Sequence, residues 1–169
     1  PSPPVPPPPP FLGADGCVTK PSGFVSAVQS SVFEEYDAAL AIDEIENNAM
    51  LTTSQLNPWL SVELPANTPV GDVMVRAREL PYEGLLFPFE VYLGTSAGDL
   101  SILCGSVATG TADTSYTVSC DGQDGPFVTV VRLVNGYLSF SEIDICYPSP
   151  PPPAPSPPPS PGPSPPRPS

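Results

Sequence analysis

Residues 127–145 read FVTVVRLVNGYLSFSEIDI. Phe127-Val-Thr-Val-Val-Arg-Leu133 is rich in β-branched residues, and Leu138-Ser-Phe-Ser-Glu-Ile-Asp-Ile145 alternates apolar with polar at a period of two. Both patterns belong to strands, whose successive side chains face opposite ways. Asn135-Gly136 lies between them, and Asn-Gly readily takes the positive φ that a two-residue turn needs, so the stretch predicts a hairpin. Further out, strands are predicted at Leu60–Leu64, Val73–Ala77, Phe89–Leu93 and Tyr116–Cys120, with Phe24–Gln29 as the first. Turn residues separate these runs at Pro65–Gly71, Gly94–Gly98 and Asp121–Pro126.

One segment departs from this pattern. Ser31-Val-Phe-Glu34 has the form of a capping box, and Phe33–Ile42 follows it with helix-forming residues. The spacing predicts a short helix of about two turns. Seven or eight short strands and one helix predict an all-β chain folded as a β-sandwich.

The ends are different in kind. Of 29 prolines, 8 fall in residues 1–10 and 14 in residues 148–169. Proline has no N–H and a fixed φ, so such runs cannot join a helix interior or a sheet ladder. They adopt polyproline II, rising about 3.1 Å per residue, which would carry the C-terminal run roughly 70 Å. The chain thus divides into a polyproline II linker (1–10), a folded module (11–147) and a polyproline II tail (148–169).

All 18 acidic residues lie in the module, against Lys20, Arg76, Arg78 and Arg132, while Arg167 in the tail brings the chain to −13. An acidic surface repels phosphate backbones, which argues against nucleic acid as a partner. No apolar run approaches the ~20 residues of a membrane span, so no membrane insertion is expected of this segment. The chain has no histidine, no Cys/His or Ser/His pair, and no spacing that singles out two of its carboxylates, so no enzyme is expected. Four cysteines without a CxxC pair argue against zinc and for disulfides in an oxidising, extracellular compartment. Of the three possible pairings, Cys17–Cys146 with Cys104–Cys120 is expected: the first brackets the module and the second closes a local loop.

The order Ala41-Ile-Asp43, Ser54-Gln-Leu-Asn-Pro-Trp59, Phe89-Glu-Val-Tyr-Leu-Gly94, Cys104-Gly105, Ser119-Cys120 and Ser141-Glu-Ile-Asp-Ile145 resembles the F-type lectin (fucolectin) domain across roughly residues 23–146. The resemblance implies an eight-stranded jelly-roll sandwich of the galactose-binding-like fold. It also implies a sugar pocket, built in that family from a histidine, two arginines and a vicinal cysteine pair. Here Met50, Leu51 and Thr52 fall where the histidine stands. Arg78 corresponds to the first arginine, Leu85 to the second, and Pro81 and Tyr82 stand in the cysteine region. One of three polar sugar contacts is kept, which implies that ordinary fucose recognition is lost and leaves a remodelled pocket around Arg78 and Tyr82. The family's calcium site maps onto Asp43 and Glu142, with the backbone oxygens of Leu40 and Ser141 as further ligands. Its asparagine position is Ile45, so Asp43 could equally serve as a turn residue without calcium.

Trp59 reads as a core residue rather than a sugar platform. Arg76 and Arg78, two apart on one face, are expected to pair with Glu79, Glu83 or Glu90, and Asp121–Asp124 to form a turn rather than a cation loop. The Ser-Pro-Pro-Pro blocks resemble extensin-type, hydroxyproline-rich glycoproteins of plant and green-algal walls and surfaces. That resemblance implies hydroxylation and glycosylation at prolines such as Pro150, Pro151, Pro152, Pro157, Pro158 and Pro159. The expected function is a structural, self-assembling module of a secreted glycoprotein of cell wall, matrix or flagellar surface. Its partners would be glycans or glycosylated proline-rich chains. The alternative is a functional carbohydrate-binding module.

Overall fold

The computed structural model describes residues 24–66, 68–149 and 152–169. The linker at 1–10, Cys17 and with it the Cys17–Cys146 pairing, Pro150 and Pro151 lie outside the described residues.

Among the described residues the regular structure is nearly all β-strand. In order these are β1 (Ser26–Gln29), β2 (Met50–Leu51), β3 (Gln55–Leu56), β4 (Trp59–Glu63), β5 (Pro69–Arg76), β6 (Phe89–Gly94), β7 (Ile102–Val107), β8 (Ser115–Asp124), β9 (Phe127–Val131), β10 (Asn135–Gly136), β11 (Ser139–Phe140) and β12 (Glu142–Ile145). Eight of them form the sandwich: a five-stranded sheet in the order β1-β4-β9-β6-β7 and a three-stranded sheet in the order β12-β5-β8. The two-residue strands pair as β10-β3 and β11-β2. Period-two patterning explains the layers. Leu60, Val62, Val128, Val130, Phe89, Val91 and Leu93 of one sheet meet Val73, Val75, Val118, Ile143 and Ile145 of the other in one core.

Cys104 of β7 is disulfide-bonded to Cys120 of β8, so the bond clasps the two sheets along one edge. The outer face of the large sheet is partly covered too. Ser61 and Thr129 share a buried hydroxyl hydrogen bond of 2.6 Å, and the Gly98 N–H donates to the Ser61 hydroxyl at 2.8 Å. Gly98 has φ of +77°, and a Cβ there would lie 2.8 Å from the Trp59 indole. Trp59 is therefore a half-buried support for this loop and not a member of the core.

Four local expectations are corrected. The two-turn helix is a single 3-10 turn, Ala38–Ala41, capped by the Asp37 carboxylate, which accepts from the Ala39 N–H at 2.9 Å. The Ser31 hydroxyl bonds Gln55 and Thr53 instead of closing a capping box, and Glu34 sits at φ of +52°. Asn135-Gly136 makes no hairpin turn: it is strand β10, pairing with Gln55–Leu56. Leu138–Ile145 is likewise two strands. Ser139 and Phe140 pair with β2, then the chain crosses at Ser141, whose N–H donates to Arg76 O, to pair with β5. Finally, Asp121–Asp124 continues β8 through an irregularity opposite Gly71, with Asp121 at φ +55° and Gly122 at φ +75°.

Candidate functional site

β5 ends at Arg76, and the chain after it turns back through Arg78–Leu86 at one pole of the sandwich. There Phe33, Leu51, Arg78, Pro81, Tyr82, Leu85 and Tyr137 line a cavity of about 320 Å³. Leu51, Arg78, Pro81, Tyr82 and Leu85 come from three of the stretches that carry the sugar contacts in the resemblance, and the fold gathers them around one space. Phe33 and Tyr137 carried no such signal. Phe33 read as part of a helix and Tyr137 as the residue after a turn.

Arg78 is held on several sides. Its guanidinium donates to the Ser139 hydroxyl at 3.2 Å and to Glu79 at 3.0 Å, and lies 4.4 Å from the centre of the Tyr82 ring. A cation over an aromatic face is attracted to it, so the pair fixes both side chains. The Arg78 guanidinium also keeps the Glu79 carboxyl below its usual range, chiefly through that hydrogen bond. The Arg78 Nε is buried and has no hydrogen-bond partner among the described residues. Phe33 and Tyr137 meet edge to face at 6.1 Å, while Tyr82 and Tyr137 are 46% and 38% exposed, open to a ligand.

A third residue builds the walls from behind. Arg132 donates to three carbonyls: Phe87 at 2.9 Å, Tyr137 at 2.8 Å and Gly84 at 3.0 Å. It ties the Gly84–Phe87 stretch that carries Leu85 to the segment that carries Tyr137. Arg76, by contrast, faces away. It pairs with Glu46 at 3.6 Å and Asp113 at 3.9 Å rather than with Glu79, Glu83 or Glu90.

The two candidate calcium ligands also meet. Asp43 accepts from the Ile45 N–H at 2.9 Å and from the Asn48 amide at 2.7 Å, and Glu142 is hydrogen-bonded to it. Burial, then the hydrogen bond to Asp43, pushes the Glu142 carboxyl up to about 8. Burial also raises Asp43, but its hydrogen bonds from Asn48, Ile45 and Glu142 outweigh that and leave it below the usual range. Burial and the neighbouring Asp43 thus favour the protonated form of Glu142, since adjacent carboxylates repel one another.

Two buried acceptors here have no partner, Asn48 Oδ1 and Glu142 Oε1. Hard oxygens of this kind suit calcium, and Asn48 Oδ1 would supply the amide oxygen that position 45 lacks. Among the described residues no three carboxylate, thiolate or imidazole groups converge as a metal cluster. A shell here would therefore rest on Asp43, Glu142 and Asn48 with backbone carbonyls.

No family model and no curated protein sequence matches the chain. Solved structures do. A fucolectin from the serum of striped bass, Morone saxatilis, superposes with a TM-score of 0.67 at 25% identity, over 77% of this chain and 49% of that one. The chain thus spans about half the length of that lectin. A fucose-binding module of Streptococcus pneumoniae superposes with a TM-score of 0.69 at 21% identity, over 79% of this chain and 98% of that one. The lectin domain of lectinolysin, solved with Lewis B antigen, gives 0.62 at 22% identity, over 72% and 92%. The fold is the β-sandwich of carbohydrate-binding lectin modules.

Proposed function

We propose that this protein is a carbohydrate-binding module of a secreted, hydroxyproline-rich glycoprotein, and that it takes its glycan in the cavity at Arg78 and Tyr82. One observation carries the reading. Leu51, Arg78, Pro81, Tyr82 and Leu85, which the resemblance sets at a lectin's sugar contacts, line one cavity together with Phe33 and Tyr137, and Arg78 stacks on Tyr82. A pyranose offers an apolar face to Tyr82 or Tyr137 and hydroxyls to Arg78. Leu51 and Leu85 remove two polar contacts, which favours sugars held by stacking over those held by a ring of charged hydrogen bonds. Calcium belongs to the same proposal as a structural ion that Asp43, Glu142, Asn48 and the carbonyls of Leu40 and Ser141 would hold.

The glycans would be those carried on hydroxylated prolines such as Pro150, Pro151, Pro152, Pro157, Pro158 and Pro159, in a cell wall, matrix or flagellar surface. A second reading, assembly of such chains with one another, is favoured by the proline-rich tail attached to the module. An array of arabinose- and galactose-containing oligosaccharides tests the first. Binding is expected, with Arg78→Ala weakening it about tenfold or more, the order lost with one charge-assisted hydrogen bond. Binding unaffected by Arg78→Ala, or none at all, would overturn the assignment of this cavity.

A further inference from the structure

The cavity and the tail lie at opposite poles of the sandwich. β12 runs antiparallel to β5, with Glu142 opposite Arg76 and Ile145 opposite Val73. The chain leaves the module past Gly71, where a Cβ would lie 2.6 Å from the Tyr147 carbonyl oxygen, and Pro148 lies against Gly122. Arg78 follows the other end of β5. About seven residues of extended chain, roughly 23 Å at 3.3 Å each, therefore separate the tail's exit from the cavity.

The tail's chemistry also fits the cavity. Residues 152–169 are exposed, have no helix or strand, and read PPAPSPPPSPGPSPPRPS. Polyproline II makes no internal hydrogen bonds, so its carbonyls are free to accept. Grooves lined by aromatic side chains recognise such rods by stacking on the proline rings and donating to those carbonyls. Phe33, Tyr82 and Tyr137 supply aromatic rings to the lining, and Leu51, Pro81 and Leu85 further apolar surface. Tyr82 and Tyr137 carry hydroxyls that can donate to such carbonyls. Residues 152–169 carry Arg167 and no acid, and Arg78 is the one charged residue among those lining the cavity, so the contact rests on proline rings and carbonyls rather than on charge.

We infer that the Arg78–Tyr82 cavity binds the proline-rich tail, residues 152–169, of a second copy of this chain, through the proline backbone and rings themselves. A proline-stiffened rod leaving the far pole does not double back onto its own module. Each copy therefore offers a cavity at one pole and a ligand at the other. That contact is heterologous, head to tail, and repeats into an open filament rather than closing on itself. The inference rests on reading this cavity as the ligand site, but it names proline and not sugar as what is held.

The test uses the full chain made without prolyl hydroxylation, hence without glycans on its prolines. In sedimentation velocity the mean sedimentation coefficient is expected to rise with concentration. Excess synthetic peptide of residues 152–169 should return it to that of the monomer. Tyr82→Ala is expected to raise the concentration needed for association about tenfold, as loss of an aromatic anchor does. Tyr137→Ala, which alters the lining from a different segment of the chain, should act in the same direction if Tyr82→Ala disturbs its loop. Association that ignores the peptide and both substitutions, or no association and no peptide binding, overturns the inference. A positive glycan array with a silent peptide would remove this inference and leave the sugar reading in place. Peptide capture by Tyr82 with a blank array would do the reverse.

Discussion

Glu142 and Asp43 show how one pair of side chains can carry two states. Without a cation the Glu142 carboxyl, raised to about 8 by burial and by Asp43, keeps its proton across the neutral range. In the unfolded chain it would ionise near its ordinary value of 4.5. Its stabilising contribution is therefore complete below about 4.5 and declines as pH rises toward 8, since the folded state binds the extra proton throughout that window. Each pH unit across which the two states differ by a full proton is worth about 1.4 kcal/mol, so even partial expression moves the melting temperature by several degrees. In chelator, thermal melting should fall between pH 5 and pH 8.5, and Glu142→Gln should flatten that fall. Added calcium should restore the wild type at pH 8.5 and leave Glu142→Gln unmoved. A wild type whose melting is level in chelator would contradict the protonated Glu142. The sequence pointed to Asp43 and Glu142 but not to Asn48, because Asn48 reaches Asp43 across a turn whose shape no local pattern encodes. Arg132 escaped notice for the same reason: its three carbonyl partners lie up to 48 residues away in the chain.

The strands were legible wherever one face was buried and the other was not. Phe89–Gly94 holds near the predicted bounds, whereas Pro69–Arg76 contains most of the predicted Val73–Ala77 but begins four residues earlier, inside the stretch read as a turn, because Pro69 and Val70 still pair with β8. β7 was missed because most of it faces outward: Ile102 and Leu103 are 40% and 52% exposed, so its sequence, Ile-Leu-Cys-Gly-Ser-Val, shows no period. Ser139 and Ser141 misled in the opposite sense. They read as outward positions of an alternating strand, yet both are buried, and the Ser139 hydroxyl donates to Met50 O at 2.6 Å. Edge strand β7 is tied to β8 by Cys104–Cys120, bridging the two sheets. Replacing both cysteines by alanine should cost about 3 kcal/mol in the chain-entropy account of a loop of this length. Urea unfolding measures it as a lowered midpoint. A change under about 1 kcal/mol would mean that the β7–β8 edge holds without its clasp.

A strongly acidic module on a proline-rich tail sets the behaviour of the whole molecule. At physiological salt the Debye length is about 8 Å, so two modules repel only when nearly in contact. Eighteen residues of polyproline II hold them apart by up to about 56 Å, well beyond that range. The spacing thus lets modules of like charge sit along one line at no electrostatic cost, while the uncharged proline rings make the contact. It also requires that the tail stay extended in the free chain. A globular module of this size has a radius of gyration of about 14 Å, against which an extended tail is plain in small-angle scattering. At 0.15 M salt and concentrations too low for association, the maximum dimension should exceed the module's own by roughly 50 Å, close to the tail's contour. It should stay unchanged in Tyr82→Ala, since the free tail does not occupy its own cavity. A maximum dimension near that of the module alone would place the tail against the surface it leaves. Lengthening on Tyr82→Ala would further locate it in the Arg78–Tyr82 cavity, making the contact internal and the filament geometry untenable.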